Sequence, residues 1–109
     1  MKNLANLNEI KTAVTSPTIT LLYFYGDNCG VCTVIKDILE KELNKFPKLN
    51  AYKIYAEDNM EAFTSHNIFT LPVVLVYING TEYLREARNI STRDLLASID
   101  RLYNLYYEN

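Results

Sequence analysis

The stretch Thr18-Ile-Thr-Leu-Leu-Tyr-Phe-Tyr25, followed by Gly26-Asp27-Asn28 and then Cys29-Gly30-Val31-Cys32, decides how this chain is read. Residues 18–25 are rich in β-branched and aromatic side chains and are apolar on both faces from Leu21 onward. A strand covered on both sides needs that pattern, so the segment reads as a buried central strand. Gly26, Asp27 and Asn28 break it. From Cys29 to Phe46 the apolar positions Val31, Val34, Ile35, Ile38, Leu39, Leu43 and Phe46 recur at spacings of three and four, while Lys36, Asp37, Glu40 and Lys41 face away. This predicts an amphipathic helix that ends at Pro47. A Cys-x-x-Cys pair therefore stands where a central strand gives way to a helix, the place where open α/β sheets present ligand and reaction sites.

Outward from that centre, Asn6 to Thr15 reads as a short helix with Asn6 as N-cap and Ser16-Pro17 as its end. Asn50 to Ala56 reads as a second strand, and Asn59 to His66 as a short helix. Val73 to Ile78 reads as a strand that turns at Asn79-Gly80 into Thr81 to Ala87, since both turn residues tolerate positive φ. Ser91-Thr92-Arg93-Asp94 opens a terminal amphipathic helix with Leu95, Leu96, Ile99, Leu102, Tyr103 and Tyr106 on one stripe. No linker, repeat or low-complexity tract interrupts the order. The expectation is one α/β domain over residues 1–109, with a mixed four-stranded sheet and helices on both faces.

Composition narrows the function classes. With 109 residues, 11 basic and 13 acidic side chains and a net charge of -2, the chain has no electrostatic excess for nucleic acid or anionic membranes. Two cysteines, separated only by Gly30 and Val31, cannot brace distant segments as a secreted disulfide scaffold does. The leucines of the N-terminal segment are broken by Asn3, Asn6 and Asn8, so no signal peptide is read there. The run Val73 to Ile78 is far short of the roughly 20 residues of a membrane span. The expected compartment is the cytosol. Structural zinc generally takes four ligands, and one Cys-x-x-Cys with a single distant His66 does not supply them, so no metal is expected. His66 reads as a cap or surface residue, and Tyr103, Tyr106 and Tyr107 as helix packing in an expected monomer.

The chemistry sits with the cysteines. Free amides and the dipole of a first helical turn favour an anion, so Cys29 loses its proton more readily than an ordinary thiol and is the expected nucleophile. Cys32, three residues on and on the same helical side, is placed to attack a mixed disulfide on Cys29 and is the expected resolving thiol.

In these residues the chain resembles the thioredoxins from Thr18 to the terminal helix. The matching features are the strand LLYFY leading into Cys-Gly-Val-Cys, the Lys53 strand, the turn Thr70-Leu71-Pro72, the strand VVLVYI, the Asn79-Gly80 hairpin and the closing helix. The resemblance implies a thioredoxin-like fold. It also implies that Pro72 is cis and faces the cysteine pair, and that Leu71 offers backbone groups to an extended substrate. Four departures shape the site. Asn28 stands where the family usually has Trp, and Val31, after Gly30, where it usually has Pro. Tyr23 replaces a buried aspartate that assists proton movement at the resolving thiol, although Lys53, the usual neighbour of that acid, is kept. Arg88 stands near a common glycine, where it narrows or charges the substrate groove.

The function expected is a thiol-disulfide oxidoreductase that reduces or exchanges protein disulfides through Cys29 and Cys32. It needs no separate cofactor, because the two sulfurs carry the electrons. The resemblance implies a flavoprotein reductase resembling thioredoxin reductase as partner. The alternative is an accessory or binding module of the same fold, whose cysteines regulate association with little turnover.

Overall fold

The computed structural model describes residues 1–108. The elements follow in the order β1 (Lys2–Asn3), α1 (Leu7–Thr15), β2 (Ile19–Tyr25), α2 (Cys32–Glu42), β3 (Asn50–Tyr55), α3 (Met60–Ser65), β4 (Val73–Ile78), β5 (Thr81–Ala87) and α4 (Thr92–Tyr107). They form one sheet in the order β1-β3-β2-β4-β5. β2 runs parallel to β3, which runs parallel to β1, whereas β4 is antiparallel to β2 and to β5.

The central place of β2 follows from its side chains. Ile19, Leu21 and Tyr23 point into a core shared with Ile35 and Leu39 of α2 and Leu95 and Ile99 of α4. Leu22 and Phe24 point into the opposite core with Ile10 and Ala13 of α1 and Ala62 and Phe63 of α3. Strand period two thus sends alternate residues to two apolar layers. Phe24 meets Phe63 edge-on at 5.0 Å. Among the polar residues here, Thr20 is fully buried and donates its hydroxyl to the Ala13 carbonyl at 3.2 Å, which meets the cost of placing it there.

Local signals account for the boundaries. The Asn6 side chain accepts from the Glu9 amide at 2.9 Å, while the Glu9 carboxylate accepts from the Ala5 amide at 2.6 Å. Ser91 accepts from the Asp94 amide at 3.2 Å. Asn79 and Gly80 both have positive φ, 51° and 85°, as the two-residue hairpin requires.

Two expectations are corrected. The sheet has five strands rather than four, because the two residues of β1 pair with Tyr52 and Lys53 at its edge. A two-residue edge strand carries no periodicity from which to read it. The long helix begins at Cys32 rather than Cys29. It ends at Glu42 and passes into a tighter turn over Leu43–Lys45 before Pro47.

Candidate functional site

The later start of α2 changes how Cys29 is held. Cys29 lies in the turn before the helix, and its carbonyl accepts from the Cys32 amide at 3.2 Å, while the Val31 carbonyl accepts from the Ile35 amide at 3.1 Å. Cys29 and Cys32 are joined by a disulfide with Cα atoms 5.4 Å apart. Cys32 is 3% exposed, on the core side of α2, whereas Cys29 is half-buried at the surface. The two sulfurs therefore differ in access. Cys29 thus sits just ahead of the N-terminus of α2, the end of a helix that favours an anion.

Behind Cys32 stands Tyr23. Its ring is fully buried, and its hydroxyl donates to the Cys32 carbonyl at 2.6 Å, tying the first turn of α2 to the central strand. Burial pushes the phenol well above its ordinary value of about 10, so the group keeps its proton and serves as a donor. Lys53 is the register partner of Tyr23 on β3. It lines, with Cys29, Cys32, Asp27, Thr33 and Lys36, a cleft of about 230 Å³ beside the disulfide.

The other predicted site residues form the rim. The Leu71–Pro72 bond is cis, and Pro72 immediately precedes β4, whose Val73 pairs with Phe24 near the end of β2. Leu71 reaches back to Gly26: a Cβ at Gly26 would lie 2.9 Å from Leu71 Cδ1. The ledge and the loop that carries Cys29 are therefore in contact. Asn28 and Gly30 are exposed, and a Cβ at Gly30 would meet nothing within 4 Å, so packing does not require glycine there. Val31 is 51% exposed. Arg88 has φ 65°, and its amide donates to the Pro72 carbonyl at 3.0 Å. His66 closes α3, with Nδ1 donating to the Ala62 carbonyl at 2.7 Å.

Three residues that hold the cysteine loop are not legible from spacing. Tyr55 donates its hydroxyl to the Asp27 carboxylate, and the Asp27 amide donates to Glu57 at 3.4 Å. The hydrogen bond to Asp27, with some burial, raises the Tyr55 phenol above its ordinary range. These partners lie 28 and 30 positions apart and meet only because β2 and β3 pair in register. Among the described residues, no three His, Cys, Asp or Glu side chains gather closely enough to hold a metal ion, and no helix is long and apolar enough to cross a membrane.

Comparison with known proteins agrees with this geometry. The thioredoxin family model matches residues 3–101. The thioredoxin-like protein YdfQ of Bacillus subtilis is 33% identical over 106 residues, covering 97% of this chain and 95% of its own. The thioredoxin of Fasciola hepatica superposes with a TM-score of 0.83 at 21% identity, covering 93% of this chain and 98% of its own. That of Malassezia sympodialis gives 0.86 at 17% identity, covering 94% and 90%. With the family model spanning nearly the whole chain and a cysteine pair at the head of α2, the protein belongs to the thioredoxin family and is, in general terms, a thiol-disulfide oxidoreductase.

Proposed function

We propose that the protein reduces protein disulfides by a two-step exchange. The Cys29 thiolate attacks one sulfur of a substrate disulfide, forming a Cys29–substrate disulfide and releasing the other substrate sulfur as a thiolate that takes up a proton. The Cys32 thiolate then attacks Cys29, releases the second substrate sulfur and leaves Cys29 and Cys32 joined. Two electrons pass from the pair to the substrate, and no separate cofactor is needed. The resemblance supports a flavoprotein reductase as the source of the electrons that reopen the pair. A reducing compartment such as the cytosol and a monomeric chain complete the reading.

The observation that carries it is the unequal access of the two sulfurs, Cys29 at the surface and Cys32 3% exposed behind it. An incoming disulfide meets Cys29 first, and the resolving step is intramolecular. Leu71 and Pro72 serve as the ledge for an extended substrate. With the Tyr23 phenol held as a donor, the proton of Cys32 leaves through solvent in the cleft lined by Lys36 and Lys53. Tyr23 in place of the family's buried aspartate favours the second reading, an accessory module that reacts once and then stays bound or released according to its redox state.

Turnover separates the two. Reduction of insulin disulfides is followed with dithiothreitol as regenerant, alongside the reduction potential of the pair in glutathione buffers. The proposed reductase gives many turnovers and a potential of about -220 to -320 mV. A single stoichiometric reaction establishes the accessory module instead.

A further inference from the structure

We propose that Arg88 is a specificity-determining residue that selects protein disulfides flanked by acidic side chains. The inference rests on the disulfide-reductase reading and names the substrate class for it. Three segments carry the cysteine pair, the proposed ledge and the residue bonded to that ledge: residues 28–34, 67–72 and 87–90. Arg88 is the one charged residue in them, and the rest are apolar or neutral polar, including Val31 at 51%, Val34 at 58% and Phe69 at 79% exposure. The cleft beside the disulfide holds Lys36, Lys53 and Asp27, whereas in these three segments the charge rests on Arg88 alone. Arg88 is the cation whose backbone is tied to the ledge itself.

The backbone fixes where that cation leaves the chain. The Arg88 amide donates to the Pro72 carbonyl at 3.0 Å, and its own carbonyl accepts from the Ile90 amide at 3.0 Å. Both main-chain groups are engaged, one of them with the proline of the proposed substrate ledge. The side chain is exposed, and its guanidinium makes no ion pair or hydrogen bond among the described residues. Its φ of 65° lies in the left-handed region, which glycine occupies freely and an arginine does not. A backbone conformation suited to a residue with no side chain carries instead a long, unpaired, permanently charged one, beside the place where substrate lies. Asp27, the acidic residue of the cysteine loop, already accepts from Tyr55. An Asp or Glu next to the substrate cysteine is the group that completes Arg88.

The test uses two quenched-fluorophore peptide disulfides that differ only in three residues after the attacked cysteine, acidic in one and lysine in the other, with insulin as a third substrate. The wild-type protein is expected to favour the acidic peptide in kcat/KM by about two- to fivefold at low salt, the range of an exposed ion pair, with the preference shrinking in 0.5 M salt. Arg88→Gly brings the ratio toward one, Arg88→Lys keeps it and Arg88→Glu reverses it. A purely structural role for Arg88 moves both peptides together and leaves the ratio alone. Equal rates on both peptides in the wild type, or a preference that survives in Arg88→Gly and Arg88→Glu, overturn the proposal while the reductase reading stands. Failure to turn over insulin and both peptides removes the reductase reading and this inference with it.

Discussion

Replacing Tyr23 by Phe removes one oxygen and tests whether that oxygen is a strut or a proton acceptor. The hydroxyl donates at 2.6 Å to the Cys32 carbonyl from a fully buried ring. Cys32 is the first residue of α2, so its carbonyl keeps its helical partner when the phenol is gone, and the Phe ring fills the same space. The loss is therefore one buried hydrogen bond without a cavity, about 1 kcal/mol net. In a domain of this size that lowers Tm by about 4–8 °C. Thermal and urea unfolding of the oxidised protein measure it, with an unchanged m-value showing that stability alone has moved. Insulin reduction by Tyr23→Phe should keep the pH profile of the wild type, because a phenol raised above its usual value of about 10 is protonated throughout the neutral range. A variant as stable as the wild type, or one whose reduction rate falls with a displaced pH profile, refutes the strut. Tyr23→Asp is a poorer probe. It buries a carboxyl and empties the volume of a ring, at a cost of about 3 kcal/mol or more.

Four other outcomes follow from the same geometry. Burial leads the upward shifts of Tyr23, Tyr25 and Tyr77, and the hydrogen bond to Asp27 leads that of Tyr55. Phenols whose folded values exceed the unfolded one lend stability that is complete below about pH 10 and is lost as pH rises through the folded values, so denaturant midpoints should decline above pH 10 and less steeply in Tyr23→Phe. At the acid end, Arg85 donates to Glu82 from Nε at 2.9 Å and from Nη2 at 2.8 Å, which holds the Glu82 carboxyl below its usual range. That stability is present above the unfolded value and lost as pH falls through the folded one. Glu82→Gln should thus flatten the acid limb of the stability curve while costing about 1 kcal/mol or less at pH 7. Arg88→Gly relieves a left-handed residue worth about 1–2 kcal/mol but adds the freedom of glycine to the unfolded chain, about 0.4–1 kcal/mol, so Tm should rise by a few degrees; a fall in Tm contradicts the strain. In Gly26→Ala the new methyl meets the flexible end of Leu71 at 2.9 Å, so stability changes by about 1 kcal/mol or less while the displaced ledge raises KM for insulin. An unchanged KM removes Leu71 from substrate contact.

Patterns that are local and repeated were legible in the sequence. Alternate residues of β2 serve two cores, which is why Leu21 to Tyr25 had to be apolar on both faces, and the Asn79-Gly80 turn carries its signature in two adjacent residues. The cysteine pair was legible for the same reason, as a short motif at a strand-to-helix junction. Long-range contacts left no such trace. Tyr55 and Glu57 hold the cysteine loop through Asp27, and nothing in the spacing of these residues announces the register that joins them. Cys29 and Val31 fit the helical stripe although α2 begins one turn later, at Cys32. In the fold, the Cys29 carbonyl instead closes the turn that presents Cys29, and the Val31 carbonyl accepts the first bond of the helix.

The central claim is the order of attack, Cys29 first and Cys32 second, and trapping measures it most directly. Reduced Cys32→Ser and Cys29→Ser proteins are each mixed with oxidised insulin, quenched in acid and analysed by mass spectrometry. Cys32→Ser should accumulate a mixed disulfide through Cys29, since the resolving thiol is absent, and Cys29→Ser should accumulate almost none, because its remaining thiol is only 3% exposed in the fold. Adduct formation on Cys29→Ser as fast as on Cys32→Ser contradicts the assignment.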